Sequence, residues 1–287
     1  MTNLDLDRVA FEAAVAERYR LSGRRFGARA GAGVAKRAGT IAAALIFPAS
    51  LFLVWQVASL FDLVPAQILP DPRLVLATFR EFYDTGDLAF HARISLLRVL
   101  QGFALGAGAG LLLGIAMGLS RRVREFVEPL FLALAQVPAL GWIPLVMLLV
   151  GIDEALKVII IAKAALIPVT INTSRGILNV PRSYREVGEV LTFGRWQTLT
   201  RILAPASVPT VFTGIRYGLT NAWLALVAVE LLASSEGLGY LMVWGRQLFQ
   251  LDLVIMAMIV VGVIGFLLDW SLGLVERRLQ RWEAAGS

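Results

Sequence analysis

The residues able to act on a solute are the polar ones set inside long apolar runs, and they are few: Gln136, Lys163, Asn172, Arg216, Asn221 and Glu230. Polar groups in such runs are costly and usually face a protein interior or a water-filled cavity. Covalent catalysis finds no support beside them, and no catalytic residue is assigned. Intramembrane proteolysis needs a serine–histidine or paired-aspartate arrangement. The sole histidine, His91, lies outside the apolar runs and reads as a surface residue, and Asp269 has no aspartate partner within them. The chain has 0 cysteines, which excludes disulfides, thiolate chemistry and Cys-based metal sites. A single histidine leaves no pair for a metal, so no metal residues are assigned either. No G-x-x-x-x-G-K-[ST] run occurs, so the chain carries no Walker A phosphate site of its own. What the polar set can do is line a route. A cation on such a route favours an anionic solute. Lys163 is open to that reading and to snorkelling toward an interface. Arg216 is open to it and to an interspan pair with Glu230 or Asp269. Pro138, Pro144 and Pro168 would bend or break their helices and open a cavity near the midplane.

The elements that carry these residues follow from composition. The 287 residues are 57% hydrophobic and 17% charged, against about 45–50% and about 25% in soluble domains. So much apolar surface excludes disorder. The net charge of +6 does not indicate nucleic acid, because the basic residues cluster at the edges of apolar runs, as membrane proteins place them. Six runs are long enough to cross a bilayer at about 20 residues each: Ile41–Phe61, Val99–Leu119, Pro129–Ile152, Ala155–Ser174, Pro205–Val229 and Leu253–Val275. They are too long and too unbroken for barrel strands. The expected fold is an all-α membrane protein with six transmembrane helices. The first 35 residues are polar and charged and the first apolar run is too long for a signal peptide's apolar region. Six spans put both termini on one side. That side carries 19 of the 27 Lys+Arg, against 5 on the other, so both termini are expected to be cytoplasmic. Residues 1–39 then form a cytoplasmic tail, weakly ordered or partly helical on the membrane surface. Residues 40–278 form the membrane domain and 279–287 a second cytoplasmic tail.

Between the spans, Pro70-Asp71-Pro72 opens a helix expected on the outer surface, with Asp71 as cap and Pro72 at the first position. Inside, residues 175–204 carry a designed-looking loop. Val187, Val190 and Leu191 share one helical face and Glu186 and Glu189 lie on others. Gly194 interrupts, and Trp196, Leu199, Ile202 and Leu203 restart the apolar pattern into Pro205. The loop reads as a docking element or as an interfacial helix on lipid. In the second run Gly102, Gly106, Gly110, Gly114 and Gly118 recur every four residues. Such a ridge is a groove into which another helix packs closely.

These residues together resemble a known family. Glu186-Val187-Gly188, Gly194-Arg195-Trp196 and Ile202-Leu203-Ala204-Pro205 look like the EAA loop of bacterial ABC importer permeases, in the nitrate/sulfonate/taurine branch. Leu69-Pro70-Asp71-Pro72, Arg98-Val99-Leu100-Gln101-Gly102-Phe103, Thr213-Gly214-Ile215-Arg216, Gly237-Leu238-Gly239-Tyr240 and Leu274-Val275-Glu276-Arg277-Arg278 also fit. The loop departs from the pattern: Val187-Gly188 stands for Ala-Ala, Thr192 for the usual glycine with Gly194 two positions later, and Ala204 for the leucine before the proline. The helical break is therefore expected at a shifted position. The resemblance implies a non-catalytic permease of the bacterial inner membrane, working as a homodimer. ATP and Mg would be bound by two cytoplasmic ATPase subunits, with no cofactor in this chain. A periplasmic or lipid-anchored binding protein would deliver a small anionic solute of the sulfonate or taurine type, with nitrate, a pyrimidine precursor or another organic acid also open. The partners implied are these chains and membrane lipid, with no nucleic acid. A coupling helix is expected at Ser183–Phe193, with Gly188 fitting the ATPase groove and Glu186 fixing register; Val187, Glu189, Gly194, Arg195, Trp196 and Pro205 complete the coupling set. A stand-alone secondary transporter would normally show internal repeats, and the Glu186–Pro205 pattern has no second copy.

Overall fold

The computed structural model describes residues 46–65 and 67–279, which are helical with no strand. The two expected cytoplasmic tails, 1–39 and nearly all of 279–287, lie outside the described residues. The chain divides after Ala66 into two units. In the first, α1 (Ile46–Leu60) is apolar; residues 41–45 of the expected first span are not among those described.

The second unit holds α2 (Pro72–Asp84), α3 (Asp87–Leu119), α4 (Arg121–Ala135), a 3-10 turn (Ala139–Trp142), α5 (Ile143–Val150) and α6 (Glu154–Leu178). It continues with α7 (Arg182–Val190), α8 (Arg195–Thr198), a π segment (Leu199–Leu203), α9 (Ala204–Ala233), α10 (Leu238–Gln247) and α11 (Leu251–Leu279). Asp71 caps α2 as its sequence indicates, its Oδ1 accepting the Arg73 N–H at 2.6 Å.

α6 is the axis of this unit. Leu156, Ile160, Ile161, Ala165, Val169 and Thr170 on it are all 0% exposed. The glycine ladder of α3 lies along it in parallel. A β-carbon at Gly102 would stand 2.5 Å from Ile161, at Gly114 2.6 Å from Thr173 and at Gly118 2.9 Å from Ile177. At Gly110 it would meet the Leu166 carbonyl at 2.9 Å, and at Gly106 it would run into the Ala162 carbonyl. Gly108, off the four-residue ridge, faces open space. α9 grips the other side of α6 in antiparallel sense, through Gly214 against Asn172 and Gly218 against Val169. Lipid offers apolar side chains no solvent to flee, so close backbone approach is what holds such helices together.

The expected third span is not one helix. α4 stops at Ala135 and Pro138 is extended (φ −53°, ψ 147°). The two limbs, Arg121–Ala135 and Ala139–Val150, meet at 91°. Pro138 forces the residue before it away from helical geometry, while Pro144 falls in the first turn of α5, where proline is tolerated. Pro168, by contrast, sits inside continuous α6. Among the described residues, three stretches are long and apolar enough to cross a membrane, Asp87–Leu119, Arg195–Gln247 and Leu251–Arg278, and the bent pair would make a fourth. Among the described residues the third run is bent, and α6 carries Glu154, Lys157, Lys163 and Arg175.

Candidate functional site

α7 follows Pro181 and ends in a turn built by three hydrogen bonds. Leu191 N–H donates to Val187 O at 3.0 Å, Thr192 N–H to Glu189 O at 2.9 Å and Phe193 N–H to Gly188 O at 2.9 Å. This is a Schellman closure, and its left-handed residue is Thr192, at φ +51°. The break therefore stays at Thr192, correcting the expected shift to Gly194. Gly194 serves instead as the cap of α8, its N–H bonded to Gln197 Oε1 at 3.0 Å. The helix also ends at Val190, short of the expected Phe193. Gly188 is a second correction. It is buried and turned inward, where a β-carbon would stand 2.7 Å from Ile202 Cδ1. Its lack of a side chain lets α7 rest on its own chain; it is not displayed to a partner. What α7 displays is Val187, Val190 (82% exposed) and Leu191, with Glu186 and Glu189 also exposed. Trp196 and Arg195 are exposed beside it, while Pro205 is half-buried. A cavity of about 510 Å³ opens between α7 and the start of α9, lined by Tyr184, Val187, Phe193, Arg201, Ile202, Pro205 and Ala206. The Arg201 guanidinium stands over the Phe193 ring at 5.5 Å.

At the opposite ends of α3, α6 and α9 lies a charge cluster in which Arg98 and Glu230 are buried and Glu154 is exposed. Arg98 grips Glu154 with two bonds, Nε–Oε2 2.7 Å and Nη2–Oε1 2.6 Å, and donates from Nη1 to Glu230 Oε1 at 2.9 Å and to Glu236 O at 2.7 Å. Glu230, 1% exposed, also accepts from Ser95 Oγ at 2.8 Å and from the Gly239 N–H at 2.9 Å. The latter sets a carboxylate at the N-terminus of α10, where the helix dipole favours it. Gly237, at φ +108°, has its α-carbon packed against the same carboxylate, and its N–H donates to His91 Nδ1 at 3.0 Å. His91 is thus half-buried and bonded, not a free surface residue. Ser95, Arg98 and Glu154 were not singled out from sequence as a site. The glycine pair Gly237 and Gly239 just after Glu230 was the available signal, since it marks backbone pressed against something.

The six intramembrane polar candidates separate into groups. Asn172 and Asn221 line one cavity of about 550 Å³, with Val137, Pro138 and Leu140 from the break and Leu224 from α9. Gln136 is exposed at the break beside it. Lys163 reaches the same break, its Nζ donating to Val137 O at 2.8 Å. Glu230 belongs to the Arg98 cluster. Arg216 pairs with Asp269 (2.7 Å) and with Glu276 (2.8 Å), not with Glu230. Neither Arg216 nor Glu230 lines the cavity.

Residues 106–281 match the family described as "Binding-protein-dependent transport system inner membrane component". The chain belongs to this family. It is an ABC importer permease of the nitrate/sulfonate/taurine branch. It is 40% identical over 83% of its length to a putative aliphatic sulfonates transport permease of Bacillus subtilis, covering 86% of that protein. It is 34% identical over 79% of its length to the nitrate import permease NrtB of Synechocystis, covering 85% of it. It is 32% identical over 82% of its length to the taurine transport permease TauC of Escherichia coli, covering 87% of it. In fold it is similar to a chain of the inward-facing MetNI methionine ABC transporter, with TM-score 0.51 and 16% identity, over 66% of this permease and 92% of that chain. The bent α4–α5 pair and the α3–α6–α9 core thus belong to a transport subunit, not to an enzyme.

Proposed function

We propose that the permease forms the path of an ATP-driven importer for a small anionic solute and is driven through α7. The observation that carries this reading is α7 itself. It is a short helix fixed to its own chain through Gly188 and Ile202, with its apolar and acidic side chains left outward. Such a face suits a groove on a cytoplasmic ATPase. Closure of an ATPase pair, with ATP and Mg bound there, would move α7 as a rigid body, and α8 would pass the motion into α9. A second copy of the permease would complete the path, and a periplasmic or lipid-anchored binding protein would load it. Six spans with both termini cytoplasmic fit the distribution of Lys and Arg. The path candidates then reduce to Gln136, Lys163, Asn172 and Asn221 around the helical break, with Arg216 and Glu230 as structural ion pairs. The solute is a sulfonate or taurine-type compound by the names of the relatives, with nitrate as the second reading on the same ground.

The test is Glu186→Lys, which reverses an outward charge without touching the turn. Uptake should be lost while membrane abundance is kept. Wild-type uptake at equal expression would remove α7 as the driven element. For orientation, an alkaline phosphatase fusion after Ser287 should be inactive and one after Thr85 active.

A further inference from the structure

Arg98, Lys157, Lys163 and Arg216 stand on the packed helices α3, α6 and α9, and all but Lys163 are matched by carboxylates. Arg98 holds Glu154 and Glu230, Lys157 holds Glu154, and Arg216 holds Asp269 and Glu276. Lys163 has no carboxylate among the described residues. Its ammonium carries three donors. One goes to the Val137 carbonyl at 2.8 Å, in the break where the helical ladder has stopped. Its charge stands 5.0 Å from the centre of the Trp142 ring. An aromatic face and a carbonyl soften the burial of a cation but do not neutralise it.

This unmatched charge adjoins the 550 Å³ cavity, whose lining includes Val137 itself. No lining residue is charged; the walls are apolar apart from Asn172 and Asn221. The Trp142 indole N–H, next to Lys163, is buried without an acceptor. Lys163 sits roughly 13 Å along α6 from Glu154, at about 1.5 Å per residue, and bends into the break, not toward an end. An apolar chamber with two amides and an uncompensated cation one hydrogen bond behind its wall fits a small organic anion. Its acid group would meet the ammonium and its carbon part the walls.

We propose that Lys163 is the anion-selecting group of this cavity, with the Val137 carbonyl standing in for an acid oxygen until the solute arrives. The proposal rests on reading the cavity as part of the importer's path.

The chain's lack of cysteine makes the test clean. Leu140→Cys, and separately Ile171→Cys, places one thiol in the cavity lining of the full-length permease in membranes. Each is labelled with two methanethiosulfonates of similar size, one bearing an ethylsulfonate and one an ethyltrimethylammonium. The ratio of their rates, normalised to a free thiol in solution, reads the local potential. Adding Lys163→Met should lower the anion-to-cation ratio on the order of fivefold, the effect on two oppositely charged reagents of one charge several ångströms away at near-aqueous dielectric. Lys163→Arg should keep most of it. Free ethanesulfonate should slow labelling with Lys163 or Arg present and not with Met. Ratios equal in all three backgrounds at both positions would overturn the proposal, and so would thiols that neither reagent reaches. Loss of protein in Lys163→Met alone, with Lys163→Gln folded and its ratio unchanged, would also overturn it, by making the residue purely structural. The labelling needs no ATPase. Its failure would leave the importer reading standing, and a permease that fails to couple to an ATPase would still give the ratio.

Discussion

Glu230 and Gly239 meet as carboxylate and amide, with the Gly239 N–H 2.9 Å from Glu230 Oε2 and no room for a β-carbon, which would stand 2.6 Å from Glu230 Cβ. The same carboxylate holds Arg98, so one buried acid ties α3 and α9 to the start of α10. Removing it takes one of two carboxylates from a guanidinium that is 4% exposed and that keeps Glu154, and it leaves the Ser95 hydroxyl and the Gly239 N–H without their acceptor. Glu230→Ala should cost about 1–3 kcal/mol, the usual penalty for buried donors left unsatisfied, and should lower both thermal stability in detergent and membrane abundance. Arg98→Met with Glu230→Leu should cost clearly less than the two single changes added together. Additive losses would show that the pair is not coupled.

The α3–α6 seam makes a sharper steric prediction. Gly106→Ala drives a methyl into the backbone carbonyl of Ala162, which has no rotamer to change. Gly108→Ala, two residues away, meets nothing within 4 Å. The first should cost about 1–3 kcal/mol by overpacking, and the second should be neutral or slightly stabilising through helix propensity. Equal melting temperatures for the two variants would contradict the parallel register of α3 on α6.

Much of this was legible in sequence where a pattern is local. The glycine ladder repeats on one helix face, and a ridge without side chains has few uses other than close packing. The Pro138 break was expected because proline restricts its own neighbourhood. Thr192 was not legible: a β-branched residue is rarely left-handed, and Gly194 nearby looked the better place to turn. Gly188 was assigned to a partner because its inward neighbour, Ile202, is fixed only by how α7 folds back. The Arg98 cluster escaped because Glu154 and Glu230 lie 56 and 132 residues away, and no local spacing announces a pair at that range.

Thr192 gives a prediction about α7. A left-handed conformation costs a residue with a side chain about 1–2 kcal/mol, and glycine removes that cost while adding chain entropy of about 0.5–1 kcal/mol. Thr192→Gly should therefore tighten the turn modestly. The Phe193 N–H, which donates to Gly188 O, should exchange with deuterium more slowly. Faster exchange there would mean that the Thr192 turn is not what ends α7.

Gly188 separates the inner from the outer face of α7. Gly188→Ala should weaken coupling of transport to ATP hydrolysis by pushing against Ile202, and Ile202→Ala in the same chain should restore it. A partner groove that excluded the alanine methyl would give no rescue. Uptake per ATP hydrolysed, in the two single variants and the double variant, tells them apart.

We infer that this chain is a passive path moved by a separate ATPase. This is tested by reconstituting the permease in liposomes alone, and again with its ATPase and loaded binding protein, and recording ATP hydrolysis and solute uptake in both. The permease alone should show no hydrolysis and no concentrative uptake, and the full assembly should show both together, lost on Glu186→Lys. ATP hydrolysis by the purified permease at the rate of the assembly, or concentrative uptake without any ATPase, would contradict it.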